Sequence, residues 1–491
     1  MKKLLENCPH CDADIPRDAR ACPKCGADER TAWNDRASAQ RLDLPDTEFD
    51  YDAYVREEFG GEGAASRATH LKPRGIHWFW WIIAIAATAA FLLMTFGVHA
   101  ADWPQLLGPT RDGASIETNL VAQWPAAGPA ILWQQKVGLG FGGPVVAGGR
   151  LILHHRLGDR ETVDCLDAKS GKRLWRFEYA ATYTDDFNFD TGPRATPTIA
   201  GERAFVFGAE GMLHCLDLAT GRLLWNVDTA RELKSGKGFF GRACSPLVED
   251  GNVLLILGGA EGAGIVAFDV ATGKLRWKSV EAEASYSSPV AANFNGRRQL
   301  FCLTRSGLHV LEPATGKVAL EHPFRPSINA SVTAALPLVI GDHIFLSASY
   351  GAGATTLRAG PNGLVKIWSE DAVLSNHYAT SVHRDGFLYG FDGRQEEGCV
   401  LRCVELKTGK LRWSRDGFKA GIVTRAGDQL LILTERGELV RAAAAPEGYR
   451  ETGRAQILPF NTRAHPALAD GLFFARSRDT LVCVDLRAKK E

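Results

Sequence analysis

The sequence predicts an all-β protein, an eight-bladed β-propeller of four-stranded blades, from a repeated hairpin, abundant glycine and few helical signals. The chain has 491 residues, with 51 glycines but only 3 methionines. This composition suits many tight turns between short strands. From Trp133 onward one hairpin recurs with a period of about 42 to 52 residues, which is typical of four-stranded propeller blades.

The repeated hairpin has an apolar strand, an Asp or Glu, a Thr-Gly or Ser-Gly turn, and a second strand that carries Trp. Glycine supplies the positive φ that such a short loop requires. We expect each indole to pack between neighbouring blades. The copies are CLDAKSGKRLW ending at Trp175, CLDLATGRLLW at Trp225, AFDVATGKLRW at Trp277, CVELKTGKLRW at Trp413, and the weaker VLEPATGKVAL at Leu320 and LVKIW at Trp368.

Cysteine also repeats with the hairpins, at one matching strand position. Other copies carry Ala or Val at that position, so it is predicted to be small, apolar and buried. Free thiols are expected there, and a disulfide framework is the alternative. The matching residues are Cys165, Cys215, Cys403 and Cys483, with Ala267 and Val310 in the other copies.

The predicted propeller domain spans residues 102–491 and closes on itself. A paired-strand element precedes each hairpin, and eight such units lie between Pro144 and Ala488. The last unit lacks its Trp strand, whereas the strand ILWQQKV around Trp133 stands alone before the first unit. We expect this N-terminal strand to complete the last blade, because closure removes exposed sheet edges.

Residues 1–28 are predicted to form a zinc ribbon. Four thiolates in two Cys-x-x-Cys pairs can close a tetrahedron around zinc, and the prolines within the pairs favour the tight knuckles of such sites. Two disulfides in a small secreted module are the alternative. The segment resembles the zinc-ribbon family, so structural zinc is the expected cofactor. The predicted ligands are Cys8, Cys11, Cys22 and Cys25.

A flexible linker and a transmembrane helix are predicted to follow. Residues 29–75 lack periodicity and include an acidic stretch, which is typical of a solvated tether. Residues 76–98 carry no Asp, Glu, Lys or Arg and are long enough to cross a bilayer as a helix. Lys72 and Arg74 precede this span, which places the N-terminal side in the cytoplasm.

The expected location is therefore the bacterial inner membrane, as a single-pass protein with a cytoplasmic N-terminus and a periplasmic propeller. The sequence Val98-His99-Ala100 also fits a signal-peptide cleavage site. Cleavage after Ala100 would release the propeller from the membrane and is the alternative.

The position of each residue within its repeat predicts a binding rim around the propeller channel. Arg194, Tyr286 and Arg463 each stand three residues before the Pro that opens a unit, and Arg242 and His377 lie close to such positions. A basic, partly aromatic rim can bind an anionic group or an acidic peptide. The alternative is that these side chains only cover blade ends.

The repeats resemble those of the pyrroloquinoline-quinone-like (PQQ-like) propellers over about residues 102–488. The segments ADWPQLLGPTRDGASIE, GPRATPT and YGFDG resemble envelope proteins of that group. The resemblance implies one of two functions, because the group contains the non-enzymatic barrel-assembly lipoprotein B and the quinoprotein alcohol and glucose dehydrogenases.

The resemblance also implies what a dehydrogenase would need. The alcohol-dehydrogenase branch stacks an adjacent Cys-Cys pair on the quinone, and this sequence has no two neighbouring cysteines. It also shows no recognisable Glu, Asn and Asp set to hold calcium, so PQQ is not an expected cofactor.

The sequence thus predicts a membrane-anchored, extracytoplasmic propeller that acts as a non-enzymatic binding or scaffold module of the cell envelope. A protein or an envelope polymer is the expected partner of the propeller, and a second, cytoplasmic partner is expected for the zinc ribbon. Basic and acidic residues are equal at 57 each, so no nucleic-acid partner is expected. The alternative is a PQQ-dependent oxidoreductase acting on alcohols or sugars.

Overall fold

The computed structural model describes residues 102–488, except 122, 188, 330 and 362, together with residues 7, 8, 13, 14, 22 and 24. Within the first of these ranges the chain forms 33 strands and one short helix. The strands make eight sheets, which are antiparallel except for one parallel pair, and the first strands of several adjacent sheets contact one another. This arrangement confirms the predicted eight-bladed propeller of four-stranded blades.

Two strands precede the first blade in the chain, β1 (Ala114–Ser115) and β2 (Ala130–Lys136). Blades 1 to 4 follow in chain order, each listed from its innermost strand outward. They are blade 1, β3 (Val145–Ala147), β4 (Arg150–Leu157), β5 (Arg160–Asp167) and β6 (Arg173–Ala180); blade 2, β7 (Thr198–Ala200), β8 (Arg203–Phe207), β9 (Met212–Asp217) and β10 (Leu223–Asp228); blade 3, β11 (Leu247–Glu249), β12 (Asn252–Ile256), β13 (Ile265–Asp269) and β14 (Leu275–Ser279); and blade 4, β15 (Val290–Phe294), β16 (Arg297–Leu303), β17 (Gly307–Leu311) and β18 (Val318–Pro323).

Blades 5 to 8 complete the ring. They are blade 5, β19 (Leu338–Ile340), β20 (His343–Ala348), β21 (Gly353–Gly360) and β22 (Gly363–Glu370); blade 6, β23 (Val382–Arg384), β24 (Phe387–Asp392), β25 (Cys399–Glu405) and β26 (Leu411–Lys419); blade 7, β27 (Gly421–Ala426), β28 (Gln429–Thr434), β29 (Glu438–Ala443) and β30 (Glu451–Gln456); and blade 8, β31 (Ala467–Ala469), β32 (Leu472–Arg476) and β33 (Thr480–Asp485) together with β2. The short helix α1 (Thr229–Leu233) follows β10, and the Asp228 side chain caps it by accepting from the Arg231 N–H.

The ring closes as predicted. Strand β2 pairs antiparallel with β33, with Trp133 opposite Cys483, and so becomes the outermost strand of blade 8. Both ends of the domain are thereby joined in one sheet, which leaves no unpaired blade edge at the closure. Strand β1 was not predicted. It pairs in parallel with β27 and adds a fifth strand to the inner edge of blade 7.

The repeated indoles pack between blades, which confirms the prediction made from the hairpins. Each of six half-buried tryptophans donates its Nε1–H to a backbone carbonyl of the following blade, at 2.7 to 3.2 Å. The matching cysteines are fully buried free thiols. Their Ala and Val counterparts in the other blades are also fully buried. The donor–acceptor pairs are Trp133 with Ala168, Trp175 with Leu218, Trp225 with Val270, Trp277 with Pro313, Trp368 with Leu406, and Trp413 with Ala445.

The N-terminal residues 103–113 cross the channel, a feature that was not predicted. Trp103 exchanges two 2.8 Å backbone hydrogen bonds with Val146 of blade 1. The buried Arg111 donates to carbonyls that precede the inner strands of blades 3 and 4, those of Pro246 and Pro289. The Gly113 carbonyl then accepts from Arg425 N–H of blade 7, on the opposite side of the ring. The segment therefore ties distant blades together and closes the channel.

Only part of the predicted zinc ribbon is described. Cys8 and Cys22 are buried, and Cys8 N–H donates to the Ala13 carbonyl at 2.8 Å. Cys11 and Cys25 lie outside the described residues, so the zinc site stays a prediction. The predicted linker 29–75 and span 76–98 also lie outside them. Within the described part of the chain, no helix is long and apolar enough to cross a bilayer.

Candidate functional site

A cavity of about 190 Å³ lies at the centre of the ring. Seven blades contribute to its wall the residue four positions before the inner strand begins. The residues at this position enter the channel at the same level, because each blade repeats the same loop-to-strand geometry. Leu106, from the segment that crosses the channel, also lines the cavity. The seven residues are Phe141, Arg194, Ala243, Tyr286, Ala334, Tyr378 and Arg463.

Four of the five predicted rim residues line this central cavity. Arg194, Tyr286, His377 and Arg463 are brought together there, although they come from four different loops. Arg242 does not line it. It lines a second, more polar pocket together with Tyr183 and Thr184. Whether any of these residues binds a ligand stays a prediction.

The two arginines of the cavity wall are already paired with buried carboxylates. Arg194 Nη2 lies 2.7 Å from Asp185 Oδ2, and the Asp185 side chain is fully buried. Arg463 Nε contacts Glu435, which is also buried. Both guanidinium groups lie over the ring of Phe141, at 5.0 and 5.9 Å from its centroid. The predicted basic rim is therefore largely neutralised, which weakens its attraction for a free anion.

Asp185 is held as a carboxylate by its surroundings. Burial alone would raise its pKa, but the backbone N–H groups of Asp190, Phe189 and Phe187 donate to it, and Arg194 adds a positive charge. The pKa of Asp185 consequently lies below its ordinary value. This carboxylate therefore holds Arg194 and the backbone N–H groups of Phe187, Phe189 and Asp190.

A set of hydroxyl groups, which we call the hydroxyl ring, joins several neighbouring blades, and three of these groups line the cavity wall. These residues stand two positions before the inner strands, and their side-chain oxygens accept from the backbone N–H at the same position in the preceding blade. Each of these hydroxyls therefore satisfies a buried backbone N–H of a neighbouring blade. The bonds run from Gly143 to Thr196 at 3.0 Å, from Thr196 to Ser245 at 2.9 Å, from Ser245 to Ser288 at 2.8 Å, and from Leu336 to Thr380 at 2.9 Å.

Exposed aromatic rings surround one side of the cavity, and we call Phe187, Phe189 and Phe240 the aromatic mouth. Phe187 is 54% exposed and Phe189 is 58% exposed. Their rings pack against Phe240, with centroids 5.2 and 6.3 Å away. Asp185 Oδ1 accepts from the backbone N–H groups of both residues, at 2.9 and 3.0 Å, and so positions the backbone from which the two rings project. Clustered exposed apolar rings of this kind mark interaction surfaces.

Neutral histidine and tyrosine side chains form another part of the cavity wall, next to the carboxylate of Glu396. Burial lowers the pKa of His465 to about 4 and also lowers that of His377. Burial raises the pKa of Tyr378. His377 Nε2 lies 2.9 Å from the hydroxyl of Tyr350. The cavity thus combines aromatic and aliphatic surface with neutral polar groups, the Glu396 carboxylate and two paired arginines.

Comparison with known proteins identifies the family. The family model described as outer membrane protein assembly factor BamB matches residues 159–415, slightly more than half of the chain. The chain belongs to this BamB family. Outer membrane protein assembly factor BamB of Moranella endobia is 24% identical over 346 residues, which cover 68% of this chain and 74% of that protein.

The BamB-family fold also extends to quinoprotein enzymes. Quinohemoprotein alcohol dehydrogenase ADH IIB of Pseudomonas putida is 34% identical over 121 residues, only 24% of this chain and 17% of that enzyme. The solved structure of BamB from Moraxella catarrhalis superimposes with a TM-score of 0.53 at 14% identity, over 72% of this chain and 99% of that one. The quinohemoprotein alcohol dehydrogenase of Comamonas testosteroni gives 0.59 at 14% identity, over 80% and 81%. At these identities the two structures show the fold alone.

Sequence reasoning missed several residues of the site in this BamB-family propeller. Asp185 and Glu435, the partners of the wall arginines, were not singled out. The aromatic mouth was also missed. The sequence DDFNFD, which does not occur in the corresponding loops of the other repeats, could have indicated it. Leu106 had no such signal, because nothing in the sequence placed its segment in the channel.

Proposed function

We propose that the propeller is a non-enzymatic protein-binding module that receives an apolar or aromatic side chain of its partner in the central cavity. The aromatic mouth carries this proposal. Phe187 and Phe189 are each more than half exposed, and Asp185 accepts from the backbone N–H of both. Binding of a partner would remove these apolar rings from water, which is favourable. The family name, an outer membrane protein assembly factor, supports a protein as the partner.

We infer an envelope location from the same family and from the sequence. The uncharged residues 76–98, preceded by Lys72 and Arg74, would anchor the chain in the inner membrane. The propeller would then face the periplasm, and the zinc ribbon with its own partner would face the cytoplasm. Reducing conditions there keep cysteine thiolates available for zinc.

A PQQ-dependent oxidoreductase is the second candidate, favoured by the short match to quinohemoprotein alcohol dehydrogenase. The residues of the cavity do not fit a calcium-bound quinone. Among the described residues that line it, Glu396 is the only carboxylate. The neighbouring Asp185 and Glu435 are each held by an arginine. Calcium needs six to eight oxygen ligands, several of them carboxylate oxygens free to coordinate it.

Site-specific photo-crosslinking in living cells tests the binding function. A photoreactive phenylalanine replaces Phe189 at the aromatic mouth, and in a matched variant it replaces Leu174, which is 48% exposed on an outer strand. We expect a discrete protein adduct from position 189 and none from position 174. Mass spectrometry of the adduct should place an apolar or aromatic residue of the partner at the link. The same pattern from both positions would refute the proposal.

The oxidoreductase is tested on the purified protein. After incubation with PQQ and calcium, bound cofactor absorbance and dye-linked oxidation of alcohols or sugars are measured. We expect neither. Oxidation that persists after unbound PQQ has been removed by dialysis would establish the second candidate in place of the first.

A further inference from the structure

The second pocket differs in chemistry from the central cavity. Its lining includes Tyr183, Glu210, Ser235, Lys237 and Arg242, and we call it the Arg242 pocket. It lies beside the aromatic mouth, because the loop that carries Tyr183 continues into Phe187 and Phe189. A partner segment bound at the aromatic mouth would therefore pass close to this pocket.

Arg242 is a partly buried cation, and all of its hydrogen bonds are to uncharged acceptors. Its Nε donates to Ser235 Oγ at 2.8 Å, and its Nη1 donates to the Glu210 carbonyl at 2.8 Å. Its Nη2 donates to the carbonyl of Ser235. A guanidinium has five N–H donors, so two remain after these three bonds. No ion pair joins Arg242 to a carboxylate within the described residues, in contrast to Arg194 and Arg463.

The acidic groups around the pocket are engaged elsewhere. Glu210 Oε1 accepts from the Thr182 hydroxyl at 2.6 Å, and Glu210 Oε2 accepts from the Thr182 N–H at 3.1 Å. Lys237 pairs with Asp186 at 2.5 Å. After this pairing, Arg242 and Glu210 are the two charged groups of the pocket that have no salt-bridge partner among the described residues. Burial lowers the pKa of Arg242, and the nearby carboxylates of Asp228 and Glu210 partly offset that shift.

We propose that the Arg242 pocket binds the carboxylate of an acidic side chain in the same partner segment whose apolar side chain enters the central cavity. This inference rests on the proposed function and names the sequence class of the partner, an acidic residue close to an aromatic or large apolar one. A single carboxylate can accept from the two remaining guanidinium N–H groups, whereas a phosphate dianion would place a second negative charge close to Glu210. Charge-assisted hydrogen bonds from a guanidinium are the strong kind that give such specificity.

A peptide display experiment on the full chain tests the inference. Random peptides are selected against the wild-type protein, against Arg242→Gln and against Thr184→Asp. Thr184 is an exposed residue of the pocket lining, so its change to Asp adds a competing carboxylate without removing any bond of Arg242. Arg242→Lys is the matched control that keeps the charge.

The expected result is enrichment of peptides with an acidic residue within a few positions of an aromatic one, for the wild type and for Arg242→Lys. Both Arg242→Gln and Thr184→Asp should keep the aromatic enrichment and lose the acidic one, at least five-fold in frequency. Aromatic enrichment with no acidic preference, or an acidic preference that neither variant changes, overturns the Arg242 site and leaves the proposed function standing. A wild type that selects no aromatic peptides overturns both.

Discussion

The indole of Trp175 lies directly against Gly221 of the following blade. Its Nε1 donates to the Leu218 carbonyl at 3.0 Å, in the same turn that holds the glycine. Gly221 has a φ of +73°, and a Cβ built on it would stand 2.5 Å from Trp175 Cε3. The glycine of the repeated turn thus satisfies two demands, the positive φ and the close approach of the neighbouring indole.

Replacing Gly221 with Ala should destabilise the propeller by about 3 kcal/mol, because the methyl group adds over-packing to the backbone cost. The matched control is Gly201→Ala. Gly201 has a φ of +56° but nothing within 4 Å of its Cβ position, so only the backbone cost of about 1 kcal/mol is expected. Urea unfolding measures both. Equal losses in the two variants would show that the indole contact contributes nothing.

This relationship explains why the fold could be predicted. The Thr-Gly turn and the Trp are repeated letters, and they mark the two partners of one blade-to-blade contact. The strand around Trp133 lacked its own hairpin, which identified it as the missing strand of blade 8. The segment 103–113 has no counterpart in any repeat. Its contacts depend on the closed ring, so no local pattern could reveal them.

Thr196 tests the hydroxyl ring that joins the inner strands. Its Oγ1 accepts from the Gly143 N–H at 3.0 Å. Thr196→Val keeps the shape of the side chain but leaves that buried N–H without an acceptor, which costs about 2 kcal/mol. Thr196→Ser keeps the oxygen and should cost less than half as much. The free energy of unfolding in urea distinguishes them, and similar losses would mean that packing, not the hydrogen bond, is the contribution of Thr196.

The ion pair at the cavity wall makes a different prediction. Arg194→Met should destabilise the protein by about 3 kcal/mol, because it leaves the buried Asp185 without its counter-ion. Adding Asp185→Asn should recover part of that loss, since the unpaired charge is then removed. Thermal unfolding of the single and double variants gives the coupling. Additive losses would show that the pair is not energetically coupled.

The site was predictable only in its geometry. Counting back from the strand-opening prolines located Arg194, Tyr286 and Arg463 in one wall, because the repeat fixes where each loop meets the channel. Their electrostatic state was not predictable. Asp185 lies in a loop that differs from the corresponding loops of the other repeats. Glu435 belongs to blade 7, whereas Arg463 precedes the inner strand of blade 8. Arg242 and His377 each stand one residue before the wall position of their loop, yet only His377 lines the central cavity, whereas Arg242 lines the neighbouring pocket.

The zinc ribbon predicts the metal content of the protein. The full-length protein should contain about one zinc per chain, and changing Cys8 and Cys22 to Ser should remove it, because the remaining thiolates cannot complete the tetrahedron. Elemental analysis by mass spectrometry measures the metal. Cys165→Ala, at a buried position where another repeat carries Ala267, is the control that should retain zinc. Zinc-free wild-type protein would contradict the ribbon.

Buried histidines should make the propeller sensitive to acid. Burial, aided by His154, lowers the pKa of His214 to about 4, and its ring packs 4.2 Å from that of Tyr179. An unfolded chain binds the proton near pH 6.5, whereas the folded protein does not bind it until about pH 4. Stability is therefore complete above pH 6.5 and falls as the pH drops towards 4, by about 3 kcal/mol for this group. His214→Gln should flatten the dependence of the unfolding free energy on pH in that window. Phe207→Leu should lower stability equally at every pH, and an unchanged slope in His214→Gln would assign the acid sensitivity to other groups.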